Sequence, residues 1–205
     1  IMPGYDRALR AAVELNLVRF NQLSQSKDTS GAVRTQLQDA LQKAISNGLS
    51  AVSSDSNNYQ NWLTLAGAYQ QLAGVQVSGA YDNAKKAYEQ ALAANPTNPL
   101  PYLQLAQLAA LQGDIAATRA YLLEALNKKK NYADAYYLLS QLEVSEKHLT
   151  EALAAATSAV QSAPSESLLW VQYGVIAYSL EKYTEAASAF EQAVSLNGNY
   201  ANALY

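Results

Sequence analysis

The sequence predicts an all-α chain, an array of antiparallel helix pairs, and three observations predict it. The run Asn131-Tyr132-Ala133-Asp134-Ala135-Tyr136-Tyr137 returns as Asn199-Tyr200-Ala201-Asn202-Ala203-Leu204-Tyr205. Tyr102, Tyr136, Trp170 and Leu204 each stand 34 residues from the next. Within every period, apolar and small residues fall three or four apart, the spacing of one helical face, and turn residues interrupt them.

The elements follow in chain order. Residues 7–23 form an amphipathic helix with Leu9, Val13, Leu17 and Phe20 on one face, and the following loop, residues 24–31, is long for a repeat turn. Ala44, Gly48, Ala51 and Val52 keep the register of a second helix, closed over residues 53–58. Residues 1–57 therefore read as an irregular helix pair capping the array. Residues 58–97 are the first regular pair, but Trp62 precedes Tyr102 by 40 residues, so this unit carries six extra residues, placed at 74–80. That insert either covers the edge of the first repeats or acts as a recognition loop.

In residues 98–131, Tyr102, Leu105, Ala106 and Ala109 share one face, Gly113-Asp114 breaks the helix, and Thr118, Leu122, Ala125 and Leu126 resume it. In residues 132–165 the corresponding positions are Tyr136, Leu139 and Ser140, a turn at Glu146-Lys147-His148, then Ala152, Ala156, Ala159 and Val160, with a stop at Pro164. Residues 166–199 give Trp170, Tyr173, Gly174 and Ala177, a turn at Glu181-Lys182, then Tyr183, Ala186, Phe190, Ala193 and Val194. Asn197-Gly198 closes that unit, and residues 200–205 begin a further helix. Proline ends a helix because it lacks the donor, and Asn-Gly by adopting the left-handed conformation. The chain opens on Ile1 and stops inside the pattern, so it reads as a piece of a longer protein.

These positions resemble the tetratricopeptide repeat (TPR), whose spacing is W-x2-L-G-x2-Y followed by A-x3-F-x2-A-x4-P. Trp170, Tyr173, Gly174, Ala186, Phe190 and Ala193 carry the likeness, as do Trp62, Leu65, Tyr69, Ala84, Tyr88, Ala91 and Pro96. The resemblance implies a right-handed superhelical solenoid. Departures are Thr118 for a small alanine, Lys130 and Gly198 for proline, and Glu143 for an aromatic, which should leave that helix end more solvated. Short side chains at Ala84, Ala106, Ala152, Gly174 and Ala186 let paired helices approach closely. The runs 74–84 and 95–102 are also similar to repeat regions that follow the membrane segments of bacterial O-antigen ligase-like proteins. That likeness implies a membrane-tethered parent concerned with surface glycopolymers.

Composition narrows the function. Of 205 residues, 50% are hydrophobic and 15% charged, too apolar for a disordered tail, and no run is long and apolar enough to span a membrane. A net charge of −3 gives no field for nucleic acid or anionic lipid. The absence of cysteine excludes disulfides, thiolate catalysis and iron–sulfur clusters.

The one histidine, His148, sits in a turn beside Glu146, Lys147 and Glu151. It reads as a base oriented by a carboxylate or as an exposed turn residue, and the second is preferred because no pocketed nucleophile or oxyanion site accompanies it. The acid pairs Asp82 with Glu89 and Glu181 with Glu185 fall on polar faces, and no phosphate loop occurs. The basic run Lys128-Lys129-Lys130 ends a helix, where cations complement the macrodipole. No catalytic residue, metal-ligand set or cofactor is assigned.

The resemblance places ligands along the concave face lined by the first helix of each pair. Its offsets fall on Gln60, Leu63, Gly67 and Gln70, then on Leu100, Leu103, Gln104 and Gln107. They continue through Asp134, Tyr137, Leu138 and Gln141 to Leu168, Val171, Gln172, Val175 and Tyr178. The basic clamp by which some relatives hold a C-terminal carboxylate is missing from these offsets. Glutamine supplies a donor and an acceptor, and tyrosine a flat face with a hydroxyl, which suit an extended peptide or a sugar. The expected partner is a protein or peptide, not nucleic acid, with no membrane insertion by this segment. Self-association through the open C-terminal repeat and glycan binding are the alternatives.

Overall fold

The structure, a computed structural model, describes residues 4–27 and 30–197. Among them are ten α-helices and no strand: α1 (Tyr5–Ser24), α2 (Gly31–Ser54), α3 (Tyr59–Gly74), α4 (Ala80–Ala94) and α5 (Leu100–Leu111), then α6 (Ile115–Lys128), α7 (Ala133–Ser145), α8 (Leu149–Ser162), α9 (Ser167–Ser179) and α10 (Tyr183–Leu196). The chain divides after Gly113 into two compact units, one holding α1 to α5 and the other α6 to α10. The expected further helix at 200–205 lies outside the described residues. No described helix is long and apolar enough to cross a membrane.

Two kinds of turn alternate along the chain: the left-handed residues of the first kind recur after 37, 34 and 34 residues, and the extended residues of the second after 40, 34, 34 and 34. The turns after α3, α5, α7 and α9 place Gln76, Gly113, Lys147 and Glu181 in the left-handed region, at φ of 59°, 69°, 65° and 60°. After α7 the His148 amide donates to the Glu143 carbonyl and the Lys147 amide to that of Val144; after α9, Lys182 donates to Ala177 and Glu181 to Tyr178. This pattern satisfies carbonyls that a helix end otherwise leaves open. The turns after α2, α4, α6, α8 and α10 instead leave the helix through Asp55, Asn95, Lys129, Ala163 and Asn197, with φ between −139° and −155°. Asn197, at φ −151°, extends as its four counterparts do, and the left-handed stop expected of Asn-Gly involves Gly198, which is outside the described residues. The Trp62 indole N–H donates to the Ser56 carbonyl and that of Trp170 to Pro164, each at 2.8 Å, pinning two of these turns to the next helix.

In the first unit, Val13 and Phe20 of α1 pack on Ala40, Leu41 and Ala44 of α2, with Ala68 and Leu72 of α3 closing the layer. Asn61 is fully buried: its amide N–H groups donate to the carbonyls of Ala51 and Asp55, and its oxygen accepts from Arg10. Arg10 also pairs with Asp6, which accepts a hydrogen bond from Asn58. This network ties α1 to the start of α3.

In the second unit, Ala152, Ala156, Ala159 and Val160 of α8 meet Leu169, Tyr173 and Ile176 of α9. The small residues expected at close approaches, Ala84, Ala106, Ala152, Gly174 and Ala186, are all buried. Glu143 corrects the sequence reading. It is buried rather than solvated, because Arg119 of α6 reaches both of its carboxylate oxygens and extends to Glu146. The guanidinium replaces water as the carboxylate's partner and holds Glu143 below the usual carboxylate range, with a smaller contribution from His148.

Candidate functional site

In the first unit, α3 and α5 carry the expected concave positions. Gln60 is exposed, Leu63, Gly67 and Gln70 are half-buried, and on α5 Leu100 is exposed while Gln104 and Gln107 are half-buried. Leu103 departs from the expectation: at 3% exposure it is a core residue, because α5 also buries Pro101, Leu105, Ala106, Leu108 and Ala109 and is apolar nearly all round. The unforeseen member is Tyr88 of α4. Its ring is buried, and its hydroxyl donates to Gln70 Oε1 at 2.6 Å and lies 3.3 Å from Gln104 Oε1. Burial pushes this phenol well above its ordinary range, so it stays a neutral donor. One side chain from a second helix thus sets the orientation of two groove amides.

In the second unit, α7 and α9 carry the remaining positions. Asp134 and Gln141 are exposed, and Tyr137 and Leu138 are half-buried. On α9, Leu168, Val175 and Tyr178 stand out at 46%, 50% and 62% exposure, with Val171 and Gln172 half-buried among them. Their spacing puts Leu168, Val171, Val175 and Tyr178 on one face of α9. Gln172 reaches back to α7, its amide lying 3.4 Å from the hydroxyl of buried Ser140, which itself donates to the Tyr137 carbonyl. The Tyr178 ring meets that of Tyr183 edge-on, with centroids 5.4 Å apart. The motif positions of Tyr88 and Ser140 are legible in sequence; their reach into the groove is not, since it depends on helix packing.

Glu143, Glu146 and His148 present potential metal-ligand atoms within 4.8 Å of one another, but the Arg119 guanidinium lies on both carboxylates and occupies the place of a cation. His148 is 54% exposed with Nδ1 3.1 Å from Glu143, a different carboxylate from those adjacent in sequence. Asp82, Glu89, Glu181 and Glu185 are exposed. Lys129 leaves its helix end to sit over the Tyr132 ring, 4.8 Å from the centroid.

Comparison with known proteins bears on the fold. Residues 78–142 and 168–200 match tetratricopeptide-repeat family models. No curated protein matches the chain in sequence. Among solved structures, MamA residues 41 to the end from Desulfovibrio magneticus RS-1 superposes with a TM-score of 0.66 at 16% identity, covering 97% of this chain and 98% of that one. PilF of Pseudomonas aeruginosa gives 0.68 at 17% identity over 98% of this chain and 81% of that one. YrrB, a TPR protein with an unusual peptide-binding site, gives 0.58 at 20% identity over 81% and 82%. With the helix pairs, the alternating turns and the family matches in agreement, the chain carries tetratricopeptide repeats and has the all-α fold of a tetratricopeptide-repeat solenoid.

Proposed function

We propose that the chain is a non-catalytic docking scaffold, holding an extended peptide segment of a partner protein against the concave faces of its first helices. The observation that carries this reading is the outward row Leu168, Val171, Val175 and Tyr178 on α9, flanked by Gln172 and the exposed Gln141. Apolar anchors held out on a rigid helix beside neutral amides suit a peptide backbone with alternating side chains. In the first unit Gln70 and Gln104, held by Tyr88, offer the same chemistry. The peptide-binding site named for YrrB, a fold neighbour, supports the reading. An anchor set of this size corresponds to roughly micromolar binding. The resemblance of residues 74–84 and 95–102 adds a setting in cell-surface glycopolymer assembly, and that setting rests on the resemblance alone.

A photo-crosslinking side chain at Val175, compared with one at exposed Glu191 on α10, tests the reading in extract of the source cells. Adducts with one protein at Val175 only, lost when Tyr137 and Tyr178 are both alanine, are expected. Equal adducts at both positions would place the contact elsewhere.

A second reading, saccharide binding, is favoured by a cavity of about 320 Å³ where Trp170 and Tyr173 stand beside Glu185. Aromatic faces next to a carboxylate match the apolar and hydroxyl surfaces of a sugar ring. Quenching of Trp170 emission by a surface glycan, absent in Glu185→Ala, would support it; no response to any glycan would end it.

A further inference from the structure

A second groove lies in the first unit, apart from the concave positions. α2 contributes Leu37, Leu41, Ile45 and Leu49, one residue every four, so they form a single ridge along the helix. Tyr69 and Leu72 of α3 face that ridge. Val75 and Val77 of the insert complete the wall at 57% and 46% exposure. They are held there by the turn after α3, where Gln76 takes its left-handed conformation and the Val77 amide donates to the Leu72 carbonyl at 3.0 Å. The cavity measures about 720 Å³, and Leu49 at its far end is 50% exposed.

We propose that this groove docks the apolar face of an amphipathic helix from a partner protein, with an acidic side chain at the end that meets Arg34. Four features select that occupant. From Leu37 to Leu49 the ridge spans about 18 Å, the length of about 12 helical residues. A row of branched side chains at a spacing of four accepts the ridge of a second helix. Charge supplies the polarity: among the described residues Arg34 is the one charged residue lining the groove, and it sits near the start of α2, whose amino-terminal partial charge has the same sign. The rim residues Gln38, Gln42, Ser46 and Ser50 are neutral and hydrogen-bonding, which fits the flank of an amphipathic helix.

The test uses two labelled alanine–glutamine peptides of about four helical turns, each with leucines along one face. One ends its apolar stripe in glutamate and the other in lysine, and fluorescence anisotropy is read on the full chain. The glutamate peptide is expected to bind at least tenfold more tightly than the lysine peptide. Leu49→Glu and Val75→Glu, both at exposed positions and checked for helicity by circular dichroism, should each weaken it at least tenfold. Arg34→Glu should reverse the preference, and Tyr178→Ala should leave it unchanged, which separates this groove from the concave face. No binding by the wild-type chain, equal binding of the two peptides, or indifference to Leu49→Glu overturns the proposal. A mass that rises with concentration and is returned to monomer by Leu49→Glu overturns it too, by giving the groove to a second copy.

Discussion

A Cβ built on Gly174 of α9 would stand 2.6 Å from Cε1 of Phe190 on α10, so the two helices meet at that point through glycine against an aromatic ring. The same relation recurs between Gly48 of α2 and Leu65 of α3, where a Cβ would lie 2.9 Å from Leu65 Cδ1. Gly174→Ala is expected to cost about 1–3 kcal/mol through overpacking. Phe190→Leu in the same chain should recover part of that loss. Denaturant midpoints of the four members of this cycle measure the coupling, and strictly additive effects would show that the ring is not what the new methyl meets.

Arg119 and Glu143 make a pH-dependent contribution. The guanidinium lowers the carboxyl pKa in the folded chain, so the stabilisation is complete above the unfolded value of about 4.3 and is lost as pH falls through the lower folded value. Arg119→Met leaves Glu143 nearly buried with only His148 beside it. Since Arg119 is 32% exposed, the expected cost at pH 7 is about 1–3 kcal/mol, below that of a fully buried pair. Unfolding measured from pH 7 to pH 3 should show the wild-type advantage shrinking at the acid end. A constant difference would indicate that lost packing, not charge, causes it.

Lys147 and Glu181 occupy the left-handed turn position that Gly113 fills elsewhere. A side chain disfavours that conformation by about 1–2 kcal/mol, and glycine's unfolded-state entropy offsets part of the gain. Lys147→Gly and Glu181→Gly should therefore each raise stability by about 0.5–1 kcal/mol, read as higher melting temperatures. Gly113→Ala should lower it.

Asn61→Leu removes both amide donors from the Ala51 and Asp55 carbonyls and deprives Arg10 of an acceptor. A loss of about 2–3 kcal/mol is expected from the unsatisfied groups. Hydrogen exchange should show the loosening concentrated in α1 and the start of α3, since those are the elements the network joins.

Much of the fold was legible because a 34-residue period repeats a local rule: small residues at close approaches, aromatics between them, and turn residues between successive helices. The 40-residue spacing from Trp62 to Tyr102 gave the expected insert in the same way, and the extended turn residues Asp55 and Asn95 also stand 40 residues apart. Leu168, Val175 and Tyr178 on α9, placed by the offsets of the tetratricopeptide resemblance, turned out exposed. Leu103 did not, because the offset that points a side chain outward on one helix points into the core on a helix apolar nearly all round. Glu143 was misread for the opposite reason, since its partner Arg119 lies 24 residues away on another helix.

By itself the sequence determined the helices and the all-α class, because these depend on contacts a few residues apart and on a repeat that multiplies each signal. Only the tertiary structure decided that Tyr88 would orient Gln70 and Gln104, that Arg119 would neutralise a buried Glu143, and that Val75 and Val77 would wall a groove along α2. Each of these needs side chains from separate helices within a few ångströms, and that proximity is set by packing, which no local periodicity encodes.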